Sequence, residues 1–369
     1  MPSSFLRLPG AVEASDSGVA AHYGAPLIEQ RALEAGDAIV DLGHHEVLTI
    51  GGPDRLSWLH SFTSQSLAGL RPGESAETLL LDPNGRIEHP IRVVDDGERL
   101  WLLLDPGRGA DLLAFLLRMR FALRVEIEDR SADFATVLAM GDGTAAPAIA
   151  ALGIAAAVWR DPWGALVHGG AQYAGRHPGE GWNAIRFVVP RAGLDRVAGL
   201  VDGTAIRAAG LSALDALEIR AARPSAAELD ERAIPHEFDW LRSAVHLNKG
   251  CYRGQETVAK VHNLGHPPRR LVLLHLDGSA GELPEAGALV YRAGESAGAD
   301  ARPVGRVTRA GLHHEWGGIA LALLKRSVQE DAALEVRLGE GPDAVAAAQE
   351  TIVPADAGAT RGVPRLPRI

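Results

Sequence analysis

The chain has 369 residues, 46% of them hydrophobic and 23% charged, with a formal net charge of −10 and a sequence pI near 5.8. That length exceeds what one core usually serves and predicts two or three packed domains, while the balanced composition excludes a disordered chain. Apolar runs such as 79–81 and 271–274 fall far short of the roughly 20 residues that cross a bilayer, and the acidic balance disfavours nonspecific attraction to nucleic acid.

Residues 1–21, rich in Gly, Ser and Ala, and 354–369, punctuated by Pro and Gly, are expected to be loosely held ends. The opening lacks the basic segment and long apolar run of a secretory leader, so a cytoplasmic protein is expected. Residues 46–50 alternate as a strand, Gly51-Gly52-Pro53-Asp54 turns the chain, and Asp54 is placed to cap a helix through Leu56, Leu59 and Phe62. Strands over 77–81 and 87–94 join through Asp82-Pro83-Asn84-Gly85, a strong hairpin signal, and Asp95-Asp96-Gly97 leads into a third strand over 100–104. A helix over 112–120, regular segments at 134–140, 164–167 and 182–189, and helices over 194–200 and 211–219 follow. This mixture predicts α+β layers with largely antiparallel sheets. Downstream of 265, short strands over 270–276, 289–291, 305–309 and 318–324 alternate with Gly, Pro and acidic turns, the pattern of a small β-barrel or sandwich.

The densest cluster of specialised residues is Asn248-Lys249-Gly250-Cys251-Tyr252-Arg253-Gly254-Gln255-Glu256, followed by a helix-like stretch over 257–262. It holds the one cysteine, which excludes an intramolecular disulfide and a zinc site built on several thiolates. The glycines permit close backbone approach, Lys249 and Arg253 bring positive charge, and a following helix adds its positive end. Cys251 is therefore expected to be a reactive thiolate rather than a small buried residue in a turn. Gln255 and Glu256 are placed to orient a ligand or cap that helix. His44-His45 and His313-His314 read as turn or surface residues, with no metal expected. Asp230, Glu231 and Glu237 read as a cap and solvated loop charges, and Trp58, Trp101, Trp240 and Trp316 as packing residues.

Residues 249–256 resemble the Lys-Gly-Cys-[Phe/Tyr]-x-Gly-Gln-Glu signature of the YgfZ family, whose mitochondrial relatives assist iron–sulfur cluster maturation. Gly52-Pro53-Asp54, Glu228-Leu229-Asp230-Glu231, Ile234-Pro235-His236-Glu237, Gly265 and Arg269-Arg270-Leu271 extend the resemblance across about residues 22–335. It implies an α+β, glycine-cleavage T-protein-like fold: two interleaved mixed subdomains over 22–264 and a C-terminal β-barrel over 265–353 around a central folate-type opening. It also implies tetrahydrofolate or a derivative as ligand, with Arg220, Glu228, Tyr252, Arg253, Gln255 and Glu256 as contacts and Cys251 and Lys249 as the chemical residues.

Two departures from the aminomethyltransferase branch stand out. His89-Pro90 occupies the place of its acidic pair, with Glu88 displaced by one residue and so turned to the other face of the strand. Arg220 stands where an acidic pterin contact is expected, and a guanidinium offers donors only, which leaves Glu218 or Glu228 as the shifted acid. The function implied is an accessory role in iron–sulfur cluster assembly or repair, extending to support of tRNA-modifying iron–sulfur enzymes. Its partners are then the assembly machinery or client enzymes. A tetrahydrofolate-dependent aminomethyltransferase or demethylase is the alternative. A third reading, an RNA-associated factor, requires Arg253, Lys260, Arg269 and Arg270 to line a basic surface; direct nucleic-acid binding is not expected.

Overall fold

The computed structural model describes residues 3–278, 281–295, 301–339 and 343–360, so much of the expected C-terminal tail lies outside the described residues. Alternating apolar strands joined by acidic turns build a five-stranded antiparallel sheet in the order Ser75–Leu81, Ile87–Asp95, Arg99–Leu104, Glu46–Gly51, Glu126–Asp129. The turn chemistry sets its register. Asp82 accepts the backbone N–H groups of Asn84 and Arg86 at 2.8 Å, and Asp96 accepts those of Glu98 and Arg99 together with the Trp101 indole N–H at 2.7 Å. Helices Arg55–Phe62 and Gly109–Met119 bury Trp58, Leu59, Phe62, Leu112 and Leu116 against Leu48, Leu80 and Leu102. Asp54 precedes the first of these helices but forms no side-chain cap. Its carboxylate instead accepts the Arg124 backbone N–H at 2.9 Å and guanidinium at 2.8 Å, fastening a distant segment.

A second sheet runs Ala157–Arg160, Ala184–Pro190, Phe134–Met140, Ala38–Asp41, Arg207–Ala209, antiparallel except for its last, parallel pair. Residues 164–167, expected to be regular, form no strand: a turn there hands the Val167 N–H to the Arg242 carbonyl at 2.9 Å, and the edge strand is Ala157–Arg160 instead. The two sheets meet through Val47, Val94, Trp101, Leu103, Trp159 and Val188, and the Trp159 indole N–H donates to the Ala76 carbonyl at 2.8 Å. Within the segment expected to be a loose N-terminus, Phe5 is fully buried in the second sheet's core, and Val12–Glu13 pairs with Ala20–His22.

The C-terminal strands close a six-stranded antiparallel barrel: Arg269–Leu276, Gly317–Lys325, Gly305–His313, Leu289–Arg292, Leu334–Arg337, Ala344–Thr351. Its first strand is buried on both faces. Val272 and Leu274 fill the barrel, while Leu271 and Leu273 join the central core with Leu214 and Leu217 of helix Leu211–Arg220. That helix therefore sits where both sheets and the barrel converge. Among the described residues, no helix is long and apolar enough to cross a membrane.

Candidate functional site

The Cys251 loop is a rigid mount. Helix Gln255–Leu264 starts from Gly254 at φ +81°, where a Cβ would lie 2.6 Å from the Asp82 carbonyl oxygen and 2.9 Å from the Gly85 Cα. Gly85, at φ +80° in the hairpin turn, is packed in return against Thr257. Two glycines thus seat the helix start on the turn at a distance no side chain permits. On the other side, the Lys249 ammonium donates to the carbonyls of His60 (2.5 Å), Thr63 (2.6 Å) and Gln65 (3.0 Å) at the negative end of helix Arg55–Phe62. All three of its donors are used, and burial lowers its pKa to about 8.

The Lys249 ammonium also lies 5.2 Å from the centre of the buried Tyr252 ring, whose phenol burial pushes up. Arg253 forms a two-point ion pair with Glu88 at 2.5 and 3.1 Å and covers Phe115. Glu88, expected to face away from any function, is thus the loop's anchor. Gln255 and Glu256 occupy the helix's first turn, Glu256 exposed. Lys249, Tyr252, Arg253 and Gly254 are committed to holding the loop, and the thiol they carry is exposed.

The second feature is a cavity of about 410 Å³ between the sheets, helix Leu211–Arg220 and the barrel. Its walls include His44, His45, Arg92, Asp105, Arg186, Asp215, Glu218 and, from the barrel, Arg309. Arg92 donates to Asp105 at 2.7 Å. Burial works to raise the Asp105 carboxyl, but the Arg92 and Arg186 guanidiniums outweigh it and hold the group well below its usual range. Arg309 donates to Glu228 (2.5 Å) and Glu218 (2.7 Å), with Asp215 at 3.5 Å.

Asp215 turns into the cavity with its side chain 51% exposed; the surrounding walls partly desolvate it and, with Glu218 and Glu228 nearby, raise its pKa to about 6. His44 and His45, expected at the surface, are cavity walls. Burial first and Arg186 second lower His44 to about 4 and His45 well below its usual value, so both are neutral near pH 7.

Other expected contacts lie elsewhere. Arg220 is absent from the cavity lining; it pairs with Glu34 and lies 5.4 Å from the Trp316 ring centre. Glu228 is fully buried and serves Arg309 and the Ser225 N–H (2.6 Å), which leaves it no free face for a pterin. Asp230 and Glu237 are not solvated charges: both hold Arg269, at 2.5 and 2.8 Å. Arg270 is fully buried against Gln349 at 2.8 Å, so Arg269 and Arg270 do not build the basic surface that the RNA reading requires. Sequence reasoning passed over Arg92, Asp105, Arg186, Asp215 and Arg309. The available signal was a single charge inside an otherwise apolar run, as in Ala184-Ile185-Arg186-Phe187-Val188 and Ala213-Leu214-Asp215-Ala216-Leu217.

No protein-family model matches the chain. It is 24% identical over 265 residues to a chloroplastic protein of Arabidopsis thaliana provisionally called a transferase, covering 66% of this chain and 57% of that one. It is 26% identical over 247 residues to the mitochondrial iron–sulfur cluster assembly factor IBA57 homologue of Mycosarcoma maydis, covering 63% and 55%. The chain spans little more than half the length of these curated relatives. In structure it matches the glycine cleavage system aminomethyltransferase T from Bartonella henselae with a TM-score of 0.71 over 95% of both chains, at 16% identity. The chain has the T-protein fold. Within this T-protein fold the Cys251 loop and the cavity are separate features: Cys251 is not among the residues that line the cavity.

Proposed function

We propose that this chain is a cytoplasmic accessory factor in iron–sulfur cluster assembly or repair, with Cys251 as its working group and a folate-type ligand in the central cavity. The observation that carries this reading is the Cys251 mount: three buried or paired side chains and a left-handed glycine hold one exposed sulfur in place. One thiolate cannot hold a cluster that takes about four protein ligands, so cluster contact is shared with the assembly machinery or with a client such as a tRNA-modifying iron–sulfur enzyme. The similarity to the IBA57 homologue supports the same direction.

The T-protein fold favours a second reading, a tetrahydrofolate-dependent aminomethyltransferase or demethylase. His89 weighs against it: this buried residue stands where the acidic pair is expected, and burial lowers its pKa to about 4, leaving a neutral imidazole in place of a carboxylate. The test is the activity of an endogenous [4Fe–4S] enzyme in a deletion strain under oxidative growth. The accessory reading expects loss on deletion and recovery with the wild-type chain. Undiminished activity, together with turnover of an N-methyl or aminomethyl donor by the purified protein, overturns it in favour of one-carbon chemistry.

A further inference from the structure

One cavity cation is poorly placed against the acids around it. Arg309 is matched by Glu218, Glu228 and Asp215, and Arg92 by Asp105. Arg186, only 4% exposed, has no such match. Among the described residues the one carboxylate in ion-pair range of it, Glu218, is 3.9 Å away and already bonded to Arg309. Its nearest polar contact is the neutral His45 ring nitrogen at 3.2 Å. The Nε atoms of Arg186 and Arg92 are buried without a hydrogen-bond partner, and both guanidiniums stand 5.9 Å from the Trp159 ring centre. Burial and the like charge of Arg92 lower the Arg186 pKa to about 9, leaving it a cation at pH 7. A buried cation with no carboxylate in direct contact is costly, and so are buried donors left unmade. The Nε atoms themselves are out of reach, but the guanidiniums they belong to line an open cavity, which is where a ligand supplies the close carboxylate that the protein does not.

We infer that the cavity takes a ligand whose carboxylate end points inward onto Arg186, rather than one that presents a donor-rich pterin edge to the same wall. This inference rests on the reading of the cavity as a ligand site. A pterin's amino and ring N–H groups need acceptors, whereas the Arg186 and Arg92 side of the cavity offers donors, its Asp105 being taken by Arg92; the acceptor turned into the cavity, Asp215, stands on helix Leu211–Arg220 beside Arg309. The position where the resemblance places an acid to receive them is held by Arg220, which lies outside the cavity lining. A carboxylate suits the wall because a guanidinium binds it through charge-assisted, two-point hydrogen bonds. Two sources carry that chemistry: the glutamyl end of a folate, entering tail first, and a small free dicarboxylate.

Anaerobic calorimetric titrations of the 369-residue chain with four probes separate these cases: tetrahydrofolate, p-aminobenzoylglutamate, 6-methyltetrahydropterin and succinate. The inference expects p-aminobenzoylglutamate to bind within about tenfold of tetrahydrofolate, and the tail-less pterin to bind at least about a hundredfold more weakly. Succinate binding as tightly as p-aminobenzoylglutamate assigns a free dicarboxylate; weaker succinate binding assigns the folate tail. Arg186→Gln lowers carboxylate affinity by about tenfold or more. Asp215→Asn, a change at a cavity-facing side chain that keeps the result interpretable if the buried variant misfolds, tightens carboxylate binding by removing a like charge. Equal binding of 6-methyltetrahydropterin and tetrahydrofolate overturns the inference while leaving the cavity reading intact. Failure of all four probes overturns both.

Discussion

The Cys251 loop and the central cavity both gather basic side chains, and they treat them oppositely. In the loop each is consumed: Lys249 by three carbonyls and Arg253 by Glu88. In the cavity Arg186 is buried with its nearest carboxylate engaged elsewhere. Saturated charges build a mount, and an unsaturated one marks a place where something else binds. The difference also says which sulfur chemistry the loop supports: its positive groups position Cys251 through the backbone and are not free to move onto a ligand.

The comparison breaks most severely where a saturated charge is removed. Arg223 is buried between Glu77 (2.6 Å) and Asp161 (2.9 Å), and Arg223→Met strands two buried carboxylates, so urea unfolding should show a loss of about 3–5 kcal/mol. Lys249→Met strands three carbonyls and should cost about 3 kcal/mol in the same assay, with faster proteolysis of the 249–254 segment. Gly254→Ala meets both a left-handed φ and the Asp82 carbonyl, for about 2 kcal/mol in denaturant unfolding.

A smaller effect sharpens the cavity side. Asp215 faces Arg309 of the barrel, Glu218 of its own helix and Glu228 of the following turn; burial is the main cause of its rise to about 6, with the two glutamates adding and Arg309 opposing. Below about pH 6 it is neutral and above it repels an anion. Carboxylate affinity should therefore fall several-fold between pH 5 and 8, and Asp215→Asn should flatten that profile in calorimetry. His44 and His45 are already neutral across that range and do not contribute to it.

Much of the mount was legible in the sequence, because its logic is local. The Asn84-Gly85 turn, the glycine before the helix and the single cysteine are all short-range signals, as is the strand alternation after residue 265. The cavity was not legible, because whether Arg186 has a partner depends on Arg309 claiming Glu218 across 91 positions of chain. Other misses have physical causes too. Helix Pro26–Glu34 buries Glu29 and Gln30 to bind the N–H groups of Tyr23 and Gly210 and the Leu312 carbonyl, which hides its apolar period. The last barrel strand, Ala344–Thr351, is half alanine, a residue depleted in strands, which weakens its signal.

The most direct test of the account compares Cys251→Ala with the wild-type chain in one deletion strain, with melting temperature, protein abundance and client [4Fe–4S] enzyme activity read side by side. A mount built for one exposed sulfur predicts unfolding within about 0.5 kcal/mol of wild type, as expected for an exposed substitution, and no recovery of client activity. Full recovery by Cys251→Ala at equal abundance would contradict it and leave the loop a purely structural element.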